Sequence, residues 1–345
     1  MRATVRLLLM LAVATPALFG SVYPVHQGKS SGSVVRIRPP GAKWSVLGVA
    51  VSPDGSRVAV LFTENAFDDW ARVYCVSSGK VTATLKGRRT GESLRYLAWH
   101  PHRPVFAIAG GHMGSPISDR PGDWGAFFLL DARSGKVIKK FSIGGSTADP
   151  IAWLPNGRAI LAKDYLLDLR TGEYSRVASL SSLQQAETLA STPDWTLAAD
   201  VSHEGGWNPT QIEVYRRLPG KGLRYALLAT LRADKDEQTG KITSFCTQPG
   251  FLKSGRLAYA RVFLAPDGER RRVELWTSRT DGRDERKWFS LPLIPREKFP
   301  HLPMYSKDYG KYRLTPVSWS RDGRTIAYAY KGEVHVKRLK PPAAK

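Results

Sequence analysis

The stretch Val49-Ala-Val-Ser-Pro-Asp-Gly-Ser-Arg-Val-Ala-Val60 places a Ser-Pro-Asp-Gly turn between two runs of β-branched and apolar residues. Proline fixes one backbone angle, aspartate can bond nearby backbone N–H groups, and glycine can adopt positive φ, so the turn suits a tight reversal. The flanking residues favour extended backbone. The stretch therefore predicts a β-hairpin, and a related one, Val317-Ser-Trp-Ser-Arg-Asp-Gly-Arg-Thr-Ile-Ala-Tyr328, stands near the other end of the chain.

Weaker copies of this turn lie between these two hairpins. They occur at Trp99–Arg103, Trp153–Gly157, Thr192–Asp194 and Leu252–Arg256. A second hairpin signal, apolar residues followed by a Ser/Thr-Gly turn, occurs at Val73–Lys80, Leu129–Lys136 and Leu166–Glu173. Two hairpins make a four-stranded unit, and six such units at intervals of roughly forty to seventy residues indicate the blades of a propeller.

We therefore expect an all-β fold, a six-bladed β-propeller with four-stranded antiparallel blades. The first five predicted blades are 46–86, 94–142, 149–180, 187–231 and 241–291. The last blade has three recognisable strands within Leu314–Arg338, so its fourth must come from elsewhere. Ser33-Val-Val-Arg-Ile-Arg38 alternates as a strand does, and pairing it with Glu333–Arg338 would close the ring and cover two sheet edges. The propeller domain would span 33–340, with a tail at 341–345.

Residues 1–20 have the pattern of a secretory signal peptide. Arg2 and Arg6 precede an apolar run, Leu7–Phe19, and small residues follow at Gly20 and Ser21. The run is too short to cross a bilayer comfortably, so we expect cleavage, with an uncleaved N-terminal anchor as the alternative. The protein would be exported to the periplasm or the extracellular space, without a transmembrane segment once the signal is removed.

The chain has two cysteines. Cys75 falls on the third strand of the first predicted blade, and Cys246 on the innermost strand of the fifth. Blades two apart in a ring hold these residues well beyond the separation that a disulfide permits, about 7 Å between Cα atoms. We therefore expect free, buried thiols.

The formal net charge is +22 at pH 7. Such a charge attracts polyanions nonspecifically, which makes an anionic polymer of the cell envelope one candidate partner. A simply solvated basic surface on the outer strands is the alternative, and the one we favour. The basic residues are spread along the chain without the aromatic-basic stripe of single-strand binders, so we expect no specific nucleic-acid binding.

The two clearest turns resemble the repeats of TolB-like, WD-repeat-related bacterial propellers. These are Ser-Pro-Asp-Gly at Ser52 and Ser-Arg-Asp-Gly at Ser320. Leu130-Asp131 and Leu167-Asp168 stand where WD repeats have their Trp-Asp pair, and the same Arg-Ser/Thr-Gly turn follows. The resemblance covers Ser33–Lys340 and implies a fold more than a function, because propellers serve as binding modules and as enzymes alike.

Three predicted loops end alike, each with a tryptophan just ahead of the third strand of its blade: Trp70, Trp124 and Trp207. In propellers these loops lie on one face, around the central channel, together with the connections between blades. An indole offers a flat apolar face and a hydrogen-bond donor, which suits a peptide or a sugar. The alternative is that each tryptophan packs over its own blade as a repeated structural residue.

Acidic, histidine and tyrosine residues accompany these tryptophans on the predicted loop face. The further candidate ligand-binding residues are Asp69, Asp123, His112, His203 and Tyr305. Tyr305 lies in a long connector, 292–312, whose prolines and aromatics suggest an ordered cover over one face.

Two segments resemble catalytic or metal-binding motifs, but neither has the surrounding residues or structure that the motif requires. Gly28-Lys-Ser-Ser-Gly32 has the letters of a nucleophile elbow without the strand-to-helix setting that exposes the serine. Asp234-Lys-Asp236 begins like a calcium loop but lacks the closing glutamate. The seven histidines are scattered. We therefore predict no catalytic residues, no metal site and no cofactor.

Taken together, the sequence predicts an exported, non-catalytic propeller that binds or scaffolds through its loop face. Its partner would be a protein, a peptide or a glycan, with the anionic envelope polymer as a further candidate, and we expect a monomer. The alternative is a propeller enzyme, a metal-dependent hydrolase, lactonase or lyase, whose acidic and histidine residues converge on the channel mouth. Stoichiometric calcium or zinc in the purified protein would favour the enzyme.

Overall fold

Antiparallel strands dominate the structure, a computed structural model. It describes residues 34–64, 69–87, 93–111, 126–142, 151–154, 156–162, 165–176, 189–203, 209–220, 224–232, 234–235, 237–238, 242–264, 270–292, 294–295 and 316–340. Six antiparallel sheets form a ring, which confirms the predicted six-bladed β-propeller. Their strands belong to one compact unit, Gly32–Lys345. The described part of the chain contains no helix with the length and hydropathy that crossing a bilayer requires.

The strands of the first three blades follow in chain order after β1 (Val35–Ile37), which belongs to the last blade. Blade 1 contains β2 (Ser45–Val51), β3 (Arg57–Thr63), β4 (Asp69–Cys75) and β5 (Val81–Lys86). Blade 2 contains β6 (Ser93–Trp99), β7 (Val105–Gly111), β8 (Ala126–Asp131) and β9 (Val137–Ser142). Blade 3 contains β10 (Ile151–Trp153), β11 (Ala159–Ala162), β12 (Tyr165–Asp168) and β13 (Tyr174–Arg176).

The remaining strands build blades 4 to 6. Blade 4 contains β14 (Leu189–Ser191), β15 (Leu197–His203), β16 (Pro209–Arg217) and β17 (Tyr225–Leu231). Blade 5 contains β18 (Asp234–Lys235), β19 (Ile242–Phe251), β20 (Leu257–Leu264), β21 (Arg270–Ser278), β22 (Arg286–Ser290) and β23 (Ile294–Pro295). Blade 6 contains β24 (Val317–Trp319), β25 (Thr325–Tyr330) and β26 (Glu333–Arg338), together with β1.

The predicted closing strand is confirmed. β1 pairs antiparallel with β26, with Val35 opposite Val336 and Ile37 opposite Val334. Ile37 is buried in a hydrophobic cluster that also contains residues of β3 in blade 1. The ring therefore closes by joining the two ends of the described propeller, which leaves β26 without a free edge.

In blade 1 the second strand is the most deeply buried, because neighbouring blades cover both of its faces. In β3, the residues Val58, Ala59, Val60, Leu61 and Phe62 are all 0% exposed. Alternate residues face opposite ways along a strand, so Ala59 and Leu61 pack toward blade 2 while Val58 and Val60 pack toward blade 6. This double burial explains the continuous apolar runs in the sequence.

Blade 5 has two short strands beyond the expected four. β18 adds to the inner side of β19, and β23 pairs with the end of β21. The Asp234 carboxylate stabilises β18, because it accepts hydrogen bonds from Ser244 Oγ at 2.6 Å and from Arg261 Nη2 at 2.7 Å. Those contacts join residues distant in sequence, so local patterning did not predict them.

Both cysteines are free, as expected. Cys246 is 1% exposed. The prediction of a buried thiol is wrong for Cys75, which is half-buried at the end of β4, where the strand runs into an exposed turn. Its Sγ lies 3.2 Å from Ser77 Oγ.

Candidate functional site

The propeller has two different faces, set by which strand connections lie there. We call the face with the hairpin turns between first and second strands the turn face. Its described residues are 52–56, 100–104, 154, 156–158, 192–196, 252–256 and 320–324. On the opposite face, which we call the loop face, the second strands end and the third strands begin. In blade 1, Ser45 pairs with Thr63 and Thr63 with Asp69 at this edge.

Turns on the turn face are held by their own side chains. Ser52 Oγ donates to Asp54 Oδ1 at 2.6 Å, and the backbone N–H of Arg57 donates to Ser52 Oγ at 2.9 Å. Burial opposes ionisation of Asp54, but the hydrogen bonds from Ser52 and Ser56 outweigh it and lower its pKa. Ser320 and Asp322 repeat the arrangement in blade 6.

In blade 2 a histidine takes the place of the turn serine. His100 Nδ1 accepts hydrogen bonds from the backbone N–H groups of His102 and Arg103, both at 3.0 Å. The ring reaches the turn of blade 3, where a Cβ on Gly157 would lie 2.1 Å from Nε2. Burial, with the nearby positive charge of Arg103, lowers the pKa of His100 to about 4, so the ring is neutral at physiological pH.

A series of indoles joins the innermost strands of neighbouring blades at this face. Trp99 Nε1 donates to the carbonyl of Ala50, and Trp153 Nε1 to the carbonyl of Ala98, both at 2.9 Å. In blade 6, Trp319 lies against Gly250 of blade 5. The sequence held the signal for this, a tryptophan directly before three of the turns, but sequence reasoning did not use it.

Blade 4 supplies its indole from a different position. Ser191 stands where blades 2, 3 and 6 have tryptophan, and Trp195 stands instead at the glycine position of the turn, with φ of 56°. Its side chain is 1% exposed, and Nε1 donates to the carbonyl of Trp153 at 3.3 Å. The requirement for an indole between blades therefore outweighs the preference of that backbone position for glycine.

Backbone hydrogen bonds also run directly between turns. The N–H of Lys253 donates to the carbonyl of Arg321 at 2.7 Å, and the N–H of Arg321 donates to the carbonyl of Pro53 at 3.2 Å. Thr325 Oγ1 donates to the carbonyl of Gly55 at 3.3 Å. The polar groups of these turns thus serve the scaffold of the ring.

On the loop face, Trp70 is the candidate residue whose surroundings are best defined. It is half-buried near the start of β4, opposite Lys86 of β5. The Arg72 guanidinium lies 4.5 Å and the Lys86 ammonium 4.2 Å from the ring centroid, within the range of cation–π attraction. The Trp44 ring lies 5.0 Å away, tilted by 58°. Trp70 is therefore flanked by two cations and a second indole.

Asp69 precedes Trp70 in the sequence but faces the other way. It is 0% exposed, and its Oδ2 accepts a hydrogen bond from the backbone N–H of Leu94 at 3.0 Å. Because side chains alternate along β4, Asp69 points toward blade 2 with Ala71, whereas Trp70 points with Arg72. The two candidates are not brought together, and Asp69 joins blade 1 to blade 2.

The other predicted site residues fall largely outside the described residues. These are Trp124, Trp207, Asp123, His112 and Tyr305. His203 ends β15, where it pairs with Pro209, but its side chain is outside the described part. The ligand-binding role of all these residues stays a prediction.

Acidic side chains of blade 5 make contacts within the fold. The carboxylate of Asp234, the first residue of the calcium-like sequence, accepts hydrogen bonds from Ser244 and Arg261. Arg261 Nη1 also lies 3.6 Å from Glu285 Oε2. Among the described residues, no three His, Cys, Asp or Glu side chains lie together in a way that could hold a metal ion.

No protein-family model matches the chain, and no curated protein does. Similar solved structures include a chain in the crystal structure of the mitotic checkpoint complex, with 17% identity, a TM-score of 0.45, and coverage of 87% of this chain and 76% of that one. Another is TolB from Acinetobacter baumannii, with 18% identity, a TM-score of 0.45, and coverage of 71% of this chain and 54% of that one.

The chain spans about half the length of the TolB chain that it matches. Function does not follow from fold. What characterises this chain is its own ring of six sheets, closed by β1 and built on repeated Asp-Gly turns. By its own strand order and its turns, the chain is a six-bladed β-propeller.

Proposed function

We propose that the protein is an exported, non-catalytic binding module that holds a protein partner on its loop face. The supporting observation is the cluster of Trp44, Trp70, Arg72 and Lys86 at the loop-face edge of blade 1. Aromatic and arginine side chains are enriched in protein interfaces, and half-buried ones can bury the rest of their surface against a partner. Export rests on the signal-peptide pattern of residues 1–20.

The side chains of the two faces are used differently, which supports placing the partner on the loop face. On the turn face, the indoles of Trp99 and Trp153 and the side chains of Ser52 and Asp54 are engaged in bonds within the ring. A side chain engaged in that way cannot be given up to a ligand without weakening the ring. The loop face is where the propeller can vary its residues at little cost to the scaffold.

A protein suits the cluster better than a glycan does. Sugars stack on open aromatic faces, but two cations lie over the ring of Trp70. Trp44 packs against the same indole. What the cluster offers is positive charge beside partly exposed apolar surface, a combination that a folded or extended polypeptide can match.

Site-specific photo-crosslinking in the producing cells tests the proposal. A photoreactive residue at Glu64, exposed at the loop face of blade 1, should give a discrete protein adduct identifiable by mass spectrometry. The same residue at Lys253, exposed on the turn face, is the control and should give none. The adduct should be found outside the cytoplasm, in a chain that lacks residues 1–20. Equal adducts from both positions, or adducts only from Lys253, would refute the loop face as the binding face.

A further inference from the structure

We infer that Trp44, Trp70, Arg72 and Lys86, together called the blade 1 clamp, bind the carboxylate side chains of an acidic segment of the partner protein. The inference rests on the proposed function, since it names the chemistry of the partner at the loop face. The sequence groups Trp70 with Asp69 and is compatible with a protein, a peptide or a glycan, so the carboxylate chemistry of the ligand is new.

Strand register brings the clamp together. Trp70 and Lys86 are direct neighbours across β4 and β5, so the Lys86 ammonium can reach the indole at 4.2 Å. Arg72 is two residues further along β4, on the same side of the sheet, with its guanidinium 4.5 Å from the ring centroid. Trp44 comes just before β2 and packs on Trp70. One indole thus fixes two cations side by side.

These two cations differ from Arg256 and Arg261, which are also shielded from water. Arg256 pairs with Asp284 at 2.8 Å, and Arg261 with Asp234 at 2.7 Å. Arg72 and Lys86 have no salt bridge within the part of the chain that the structure describes, although both are half-buried. Arg72 Nε is buried there without a hydrogen-bond partner.

Arg72 and Lys86 have lost part of their hydration and, among the described residues, have gained no counter-charge. The indole of Trp70 attracts both, and the Tyr74 hydroxyl accepts a hydrogen bond from the Arg72 side chain. An anion would supply both the missing charge and acceptors for the remaining N–H donors. The guanidinium presents donors in a planar fork that matches a carboxylate, and the ammonium beside it can hold a second oxygen or a second side chain. The clamp is therefore complementary to closely spaced Asp or Glu side chains.

The observations favour a protein segment over a phosphate polymer. A polymer of repeating charge is best held by a long track of cations, whereas basic residues on the outer strand of blade 5 are already paired within the protein. Arg286 pairs with Asp284 at 2.7 Å, and Lys287 lies 3.6 Å from Glu274. The clamp also adds two indoles, whose apolar surface a polypeptide can cover with its own apolar side chains.

Binding of labelled poly-L-glutamate to the purified protein tests the inference. In the double variant Arg72→Gln/Lys86→Gln, affinity should fall by about tenfold or more, since each charge-assisted contact is strong. The matched control is Arg133→Gln/Lys136→Gln, which removes the same charge from an exposed turn of blade 2 and should change affinity by less than about twofold. Poly-L-glutamine of the same length should not bind any of the three proteins, and thermal melting should show that all three are folded.

Two results would overturn the inference. Equal losses in both double variants would mean that net charge alone attracts the carboxylates. Tighter binding of inorganic polyphosphate than of poly-L-glutamate, with the same dependence on the clamp, would make a phosphate polymer the ligand.

The outcome can be separated from that of the proposed function. A crosslink from Glu64 without any dependence on the clamp would refute the carboxylate site and leave the loop-face partner standing. Clamp-dependent poly-L-glutamate binding without a crosslink from Glu64 would refute the loop-face partner and leave the carboxylate site standing.

Discussion

Tryptophan serves the two faces of this propeller in different ways. On the turn face, Trp99 and Trp153 are tied to the neighbouring blade by their indole N–H groups. On the loop face, Trp70 makes its described contacts through its ring, with Trp44 and with two cations of its own blade. The same residue type therefore builds the ring where blades meet through short turns, and remains half-exposed where the strands run out into longer loops.

The largest expected effect lies on the turn face, at Gly157. Replacing it with alanine puts a Cβ 2.1 Å from His100 Nε2, at a backbone φ of 66°. The free energy of unfolding should fall by about 3 kcal/mol or more, because the strain of the left-handed conformation adds to overpacking. Urea denaturation measures it.

Gly255→Ala is the control for this substitution, since its φ is 81° but nothing lies within 4 Å of the added Cβ. It should lose only about 1–2 kcal/mol, the cost of the left-handed conformation. Equal losses for the two variants would show that contact between the turns of blades 2 and 3 contributes little.

A smaller effect is expected from exchanging indole for phenyl on each face. Trp153→Phe leaves the Ala98 carbonyl without its donor in the interior of the ring, which should lower the free energy of unfolding by about 1–3 kcal/mol. Trp70→Phe keeps a ring for the two cations and should cost less than about 1 kcal/mol. Thermal and urea unfolding of the two variants compare the faces directly. Similar losses would mean that Trp70 is as much a structural residue as Trp153.

The last effect appears only when the pH is lowered. The folded state holds the pKa of His100 at about 4, below the ordinary 6.5, so the unfolded chain takes up the proton first. Stability from this residue is fully present above pH 6.5 and is lost as the pH falls toward 4. The melting temperature of the wild type should therefore drop across this range by more than that of His100→Ser. Serine is the residue that holds the same position in blades 1 and 6, at Ser52 and Ser320.

Parallel melting curves for the wild type and His100→Ser across that range would contradict this assignment. A carboxylate elsewhere would then be the group that makes the fold sensitive to acid.

Much of the fold could be predicted because its turns are local. Ser52, Asp54 and Gly55 form their hydrogen bonds and positive φ within a few residues, so the letters of the sequence predict the hairpin. The closing strand was also predictable, since three recognisable strands in the last blade required a fourth. The indole positions in blades 2, 3 and 6 were visible in the sequence, yet their purpose depends on the neighbouring blade.

The candidate site was less predictable for a physical reason. Asp69 and Trp70 are adjacent in sequence and were expected to act together, but the pleat of β4 sends them to opposite sides. Arg72 and Lys86 were not proposed as site residues at all. Lys86 reaches Trp70 only because β4 and β5 pair in one particular register.

The sequence alone determined the number of blades, the hairpin turns and the closure of the ring, because each depends on residues close in the chain or on the count of strands. Tertiary contacts set which side chains the scaffold uses and which have no counter-charge among the described residues. They moved the blade 4 indole to Trp195, turned Asp69 inward, and placed two cations on one indole. Those outcomes depend on strand register and on contacts between blades, which join residues that no local pattern relates.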